Sequence, residues 1–331
     1  MNVKEIKNPD KNNTEDILAL TPMQEGMLFH YLKVPNSDEY VEQLSLEISG
    51  EIDVTIFEKA WNVVVETNQM LRTVFRWGKI KHPMQIVLRK NHLSPLFHDL
   101  SGIDTSEKNK LVEEIKINDR KKKFDLRDIP FRVTLCKIEP TKYQMIISNH
   151  HILYDGWSNG IILDEFFNAY EDLVQKRTPI IPVKNQFKEY IKWLKIQDKN
   201  KQKKFWHEYL SGIENHTELA VKTKTGNKQG MHATGKYHMR LSREYKNKIE
   251  VFVKKHKITL AALFYSTWGI LLQKYNNSDD VLFGTTVSGR SAKLEGIEDM
   301  VGLFINTLPL RVKQNSAATV TDILSQVNHM L

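Results

Sequence analysis

The sequence predicts an α+β fold divided between two subdomains. Along 331 residues, segments alternating apolar and polar residues come in pairs, separated by segments whose apolar residues recur at helical spacing. A hydrophobic content of 40% provides ample material for a core over that length. Prolines at 179 and 182 mark residues 176–183 as a linker, because proline disfavours helix on both sides of itself. The expected divisions are a polar terminal segment over 1–16, a first lobe over 17–178 and a second over 179–331.

Residues 1–16 read either as a frayed terminus or as a short docking segment. Thr21-Pro22 ahead of Met23, Met27 and Leu28 predicts a helix start, with proline at an early helical position. Leu44, Leu46 and Ile48 alternate with polar residues, which predicts a strand over 42–49. Ile56, Phe57, Ala60, Trp61, Val64 and Val65 form the core stripe of a helix. A strand pair over 72–77 and 84–88, a helix over 111–120 and a second strand pair over 131–138 and 143–148 follow. Ile161, Phe166, Phe167, Tyr170 and Val174 predict a helix over 158–175. Beyond the linker, 187–209 reads as one charged helical stretch, and its lysines at 199, 201, 203 and 204 as a solvated face. A polar loop over 223–235 precedes helices over 246–253 and 261–275, the latter with Thr259 as N-cap. A buried strand over 281–287 leads into Ser288-Gly289-Arg290, and Ile323, Leu324, Val327 and Leu331 make 320–331 an amphipathic helix.

The net charge of +8 suits an acidic partner, yet no basic-aromatic array or nucleic-acid motif accompanies the scattered lysines. No nucleic acid is therefore expected. The single cysteine, Cys136, excludes an internal disulfide and suits a reducing cytoplasm; its apolar run marks it as a core residue. The N-terminus lacks an apolar signal core and the most apolar helix is too short to span a bilayer, so no membrane is expected either.

The chemistry concentrates in residues 148–158, Ser-Asn-His-His-Ile-Leu-Tyr-Asp-Gly-Trp-Ser. Proton-exchanging groups sit here on a loop between a strand and a helix, where sites tend to lie. Adjacent side chains of an extended chain point to opposite faces, so His150 and His151 cannot both face one substrate. Asp155 could polarise a histidine or hold the loop through an ion pair; its spacing does not fix which. A third ligand at helical spacing, an H-E-x-x-H and a cysteine cluster are all lacking, so no metal is expected.

His150 to Gly156 reads H-H-x-x-x-D-G and resembles the signature of condensation domains from nonribosomal peptide synthetases, members of the chloramphenicol acetyltransferase-like acyltransferases. Other blocks appear in the family's order. Leu20-Thr21-Pro22-Met23-Gln24-Glu25-Gly26-Met27-Leu28-Phe29-His30 resembles the first motif, and Leu71-Arg72-Thr73-Val74-Phe75 the end of the second. Tyr190-Ile191-Lys192-Trp193-Leu194 is similar to the fourth, and Val301-Gly302-Leu303-Phe304-Ile305-Asn306-Thr307-Leu308-Pro309-Leu310-Arg311 to the fifth.

The resemblance implies two lobes in a V with the site in a tunnel where they meet, and peptide-bond formation between two carrier-bound substrates in antibiotic or lipopeptide biosynthesis. It gives His151 the catalytic place, sets His150 beneath it, and makes Gly156 the opening for a phosphopantetheine arm. Asp155 becomes a structural carboxylate paired to arginine, with Arg290 and Arg72 as candidates, and Trp157 and Ser158 support the loop. Asn306 is a candidate for the acceptor side. Relatives usually carry an arginine where Thr67 stands, which puts the usual pairing in doubt here. No cofactor of its own is implied. The implied partners are the upstream donor and downstream acceptor peptidyl carrier domains, an adjacent adenylation domain and, through residues 1–16, an upstream synthetase subunit.

The stretch from Met23 to His30 resembles members that accept a donor ending in a D-residue. Two other readings share the fold: an epimerization domain, against which Met23-Gln24-Glu25-Gly26 and Trp157-Ser158-Asn159-Gly160 argue, and a catalytically dead carrier-interaction domain. The family's sixth and seventh motifs should follow the fifth, and neither is present in these 331 residues. The expectation is a C-terminally truncated domain with an incomplete second lobe, exposed apolar surface and little condensation activity alone.

Overall fold

The computed structural model describes residues 11–34, 38–78, 80–213, 216–219, 237–314 and 319–331. Their contacts divide into two units: unit 1 draws on Met1–Gln197 and Ser288–Asn306, unit 2 on Asp198–Val287 and Thr307–Leu331.

In unit 1 the chain runs β1 (Thr14–Ala19), α1 (Pro22–Lys33), β2 (Val41–Ser49), α2 (Val54–Thr67), β3 (Thr73–Arg76), β4 (Met84–Leu88), β5 (Leu96–Asp99), α3 (Thr105–Lys121), β6 (Phe131–Glu139), β7 (Lys142–His150), α4 (Gly156–Val174) and α5 (Phe187–Lys195). One sheet has the order β1-β4-β3; the other, β2-β7-β6-β5, carries the histidines at the end of β7. Thr14, Glu15 and Asp16, expected in the polar terminal segment, instead open β1, which pairs with β4. The polar residues hid an edge strand whose Glu15 carboxylate is used inward, on Arg72.

The antiparallel β2–β7 register sets what each sheet face carries. Leu44, Leu46 and Ile48 stand opposite Ile147, Met145 and Tyr143, and Glu42 opposite Asn149. This row packs on the main core, which includes Trp61, Phe131 and Phe166. Within that core, α4 meets α2 through Phe166, stacked on Trp61 at 4.7 Å and edge-on to Phe57 at 5.2 Å. Each such buried ring contributes about 1.5–3 kcal/mol, which makes α4 a rigid support for the loop before it. The opposite face, with Ile146 and Cys136, forms a smaller cluster with Leu100 and Val112. Cys136 is fully buried, and burial pushes its thiol up to about 11, as suits a core residue.

Residues 187–209 form two helices, not one: α5 ends at Lys195 and α6 (Lys199–Tyr209) starts afresh with Asp198 capping the amides of Asn200 and Lys201. Phe187, Tyr190 and Ile191 are buried in unit 1, so the expected linker lies inside that unit. β5 has no counterpart among the expected strands; it is four residues long, mostly exposed, and pairs parallel to β6.

Unit 2 holds α6, α7 (Arg243–His256), α8 (Leu260–Asn276), β8 (Asp280–Val287), most of β9 (Asn306–Lys313) and α9 (Val320–Met330). Ala262, Leu272, Val281, Leu310, Val312, Ile323 and Val327 are its core. Thr259 caps α8 through the amide of Ala262 at 3.1 Å, as expected. The predicted loop over 223–235 lies outside the described residues. Among the described residues no helix is long and apolar enough to cross a membrane.

Candidate active site

His150 ends β7 and turns onto the side away from the main core. It is 2% exposed, and its Nδ1 accepts the amide of Ile152 at 3.1 Å. That bond fixes the proton on Nε2, which is buried and has no protein partner among the described residues; the residue also lines a cavity of about 220 Å³ with Tyr31 and Phe124. Burial, with a smaller push from His151, lowers the His150 pKa to about 3.

This has a consequence for stability. The unfolded ring takes a proton near pH 6.5, roughly its reference value, whereas the folded ring holds out to about 3. Between those values the unfolded state binds more protons, so stability is full above the upper one and falls below it by about 1.4 kcal/mol per pH unit. Urea midpoints should therefore drop from neutral pH to mildly acid pH, and His150→Gln should flatten that dependence.

His151 begins the irregular loop. Its amide donates to Tyr40 O at 2.7 Å, and its Nδ1 lies 2.9 Å from Tyr154 O. A carbonyl can only accept, so Nδ1 carries the proton and Nε2 is left as the acceptor in the neutral ring. The side chain is 18% exposed, and its Nε2 stands 3.6 Å from Glu42 Oε1.

The loop is also held from behind by Gln24. Thr21 and Gln24 form a reciprocal capping box at the start of α1. The buried Gln24 amide also pairs with Gln85 in both directions, at 3.2 and 3.0 Å, and donates to Ile152 O at 3.0 Å. Its two N–H groups and two lone pairs are all used, so the first motif physically braces the histidine loop.

Asp155 closes the loop and caps α4 through the amide of Ser158. Its Oδ2 accepts the amides of Phe304 and Ile305 at 2.9 and 3.1 Å, and its Oδ1 meets Arg290 Nη2 at 3.3 Å. The two side chains are 4% and 5% exposed. Arg290 donates further to Ser158 Oγ, Ile297 O and Met300 O, and its guanidinium lies over the Phe304 ring at 4.2 Å. Burial lowers the Arg290 pKa, opposed by Asp155. Gly289, at φ +68°, makes this approach possible, since a Cβ there would stand 2.0 Å from Phe304 O. Ser158 is fully buried, with Oγ on both O and N of Gly302 at 3.2 Å. Trp157 is 57% exposed and anchored by its indole N–H to Glu298 O at 3.0 Å.

Of the two arginines considered for Asp155, Arg290 takes the place. Arg72 instead pairs with Glu15 and donates to Leu88 O, because its 3-10 turn at Gln69–Arg72 packs on the β1-β4-β3 sheet. A relay from Asp155 to His151 is not built either, since Tyr154 O occupies His151 Nδ1. Gly156 opens on space: a Cβ there would meet nothing within 4 Å. Asn306 opens β9 and is exposed. Among the described residues no group of three or more His, Cys, Asp or Glu side chains is placed to hold a metal.

The family model of the condensation domain matches residues 14–331. This chain belongs to the condensation domain family. It is 37% identical over 319 residues to tyrocidine synthase 2 of Brevibacillus parabrevis, covering 96% of the chain and 9% of that protein. It is 36% identical over 318 residues to surfactin synthase subunit 3 of Bacillus subtilis (strain 168), covering 96% and 25%. The chain thus spans a small part of these relatives. A structure of the first condensation domain of the calcium-dependent antibiotic synthetase superposes with TM-score 0.75 at 16% identity, over 96% of this chain and 74% of that one. The fold is therefore the α+β, chloramphenicol acetyltransferase-like fold of condensation domains. Condensation domains form amide bonds, an acyltransferase-type reaction.

Sequence reasoning missed two residues of this site. Gln24 stands out in the sequence only as part of a motif, and its second role needs the fold. Glu42 reads only as the start of a strand, yet a signal was there: it shares a strand face with Leu44, Leu46 and Ile48, and a carboxylate ends that otherwise apolar row.

Proposed function

We propose that this condensation domain joins a donor acyl or peptidyl group, held as a thioester on one carrier domain, to the α-amine of an aminoacyl group on a second carrier. The single observation that supports the reading is the tautomer of His151, whose Nε2 is left free to accept a proton beside an irregular, well-braced loop. The neutral amine attacks the thioester carbon, and the C–N bond forms. His151 Nε2 takes a proton from the nitrogen, the C–S bond breaks, and the imidazolium protonates the departing thiolate. No nucleophilic side chain is required. An α-amine with a reference pKa of about 7.7–8.0 is partly neutral at pH 7, so no ammonium need be stripped first.

In this reading Asp155 and Arg290 form a structural clamp, and Asn306 lines the acceptor side. Both substrates ride on the phosphopantetheine of their carriers in the cytoplasm, with an adenylation domain charging the acceptor. The open space at Gly156 supports its place beside a pantetheine arm. The first motif, from Met23 to His30, supports a donor that ends in a D-residue. Single-turnover assays with loaded carriers test this, using the chain as it stands and a chimera extended from a synthetase relative. Amide product from the D-ended donor, ahead of the L-ended one, is the expected result. Exchange of the donor α-hydrogen without amide product would make the domain an epimerase, and preference for the L-ended donor would sink the stereochemical assignment.

A further inference from the structure

We propose that Glu42 is a second substrate-contacting residue of this site, gripping the acceptor amine together with His151. The proposal rests on the condensation reading and deepens it, by giving the positive charge of the reaction a fixed counter-charge in the protein.

The placement follows from the register. Glu42 stands opposite Asn149 on the sheet face that β7 continues toward His151, two residues on. The other members of that row, Leu44, Leu46 and Ile48 with Ile147, Met145 and Tyr143, pack on the main core. Glu42 alone among these is charged, and its side chain is 42% exposed, so it neither fills core nor lies beyond reach of a substrate.

Glu42 Oε1 and His151 Nε2 are 3.6 Å apart, too long for a hydrogen bond between them. That gap fits a third atom: one nitrogen can lie about 2.9 Å from both. Both are acceptors when the imidazole is neutral, so the atom that suits the gap is a donor with at least two hydrogens. A primary amine, neutral or protonated, meets that requirement; a hydroxyl, with one hydrogen, cannot satisfy both. Two buried donors on this side also lack a protein partner among the described residues, Asn149 Nδ2 and Tyr154 Oη. Burial, reinforced by the Glu42 charge, raises the Tyr154 pKa, so the phenol stays protonated.

Chemically, nitrogen becomes positive as it attacks the thioester, and the charge moves to the imidazolium when His151 takes the proton. A carboxylate in contact with both positions favours each stage. Glu42 also selects an amine over a hydroxyl at the acceptor position.

Binding to the full chain, labelled with ¹⁵N-histidine, tests this at pH 7 without depending on turnover. The probes are alanyl and lactyl amides of N-acetylethylenediamine, stable mimics of a pantetheine end that differ only in α-amine against α-hydroxyl. The alanyl probe should shift the His151 ring signals and bind at least about tenfold more tightly than the lactyl probe, as expected for a charge-assisted hydrogen bond. Glu42→Gln should reduce that preference at least about tenfold, and circular dichroism and urea midpoints matching those of the unmodified chain report that the variant is folded. An undiminished alanyl preference in Glu42→Gln overturns the role of Glu42 alone. Failure of both probes to move the His151 signals in the unmodified chain overturns the reading of His151 as the site itself.

Discussion

Asp155→Ala should cost unit 1 about 3–5 kcal/mol of stability, the scale for removing one partner of a buried ion pair. The expectation comes from what the carboxylate holds. Its loss leaves Arg290, 5% exposed at the side chain, without its counter-charge, and the amides of Phe304 and Ile305 without an acceptor. The first turn of α4 loses its cap as well. Asp155→Asn keeps the shape and one acceptor, so it should lose distinctly less. Urea denaturation followed by tryptophan fluorescence reads both, since Trp157 lies 5.6 Å from the Arg290 guanidinium. A fully stable Asp155→Ala protein would mean that the clamp contributes little to folding.

His151→Ala should do the reverse. The ring keeps some exposure and its one strong side-chain bond is to the carbonyl of Tyr154, so stability should fall by only about 1 kcal/mol, the scale of one hydrogen bond. Condensation should fall by about 10²–10⁴-fold, the range for losing a positioned general base. The contrast between the two variants separates the residue that carries the proton from the residue that carries the loop.

Much of this arrangement was legible in the chain. Adjacent histidines at a strand end must diverge, and the structure buries the His150 ring while it leaves His151 partly exposed beside Glu42. Helix starts announced themselves where a capping side chain preceded an apolar stripe, as at Thr21 and Thr259. What failed were features with no local pattern. Asp198 looks like one more charge in a charged stretch until its side chain is seen capping a new helix. β5 is too short to show alternation. Arg72 finds Glu15, 57 positions away, and Arg290 finds Asp155 across 135. Spacing cannot pair residues so distant, and only the family resemblance points to Arg290. Glu42 shows a third kind of miss: its parity was readable, but its meaning depended on the register that sets it beside His151.

In the proposed mechanism His151 moves the proton while Asp155 only holds the loop. Rapid-quench amide formation by His151→Ala and Asp155→Asn, in the chain and in the extended chimera, tests it most directly at a temperature where both variants stay folded. Asp155→Asn should keep turnover within about tenfold of the unmodified protein while His151→Ala loses at least about a hundredfold. Folded Asp155→Asn that is as slow as His151→Ala, or His151→Ala that forms product at the unmodified rate, would contradict it.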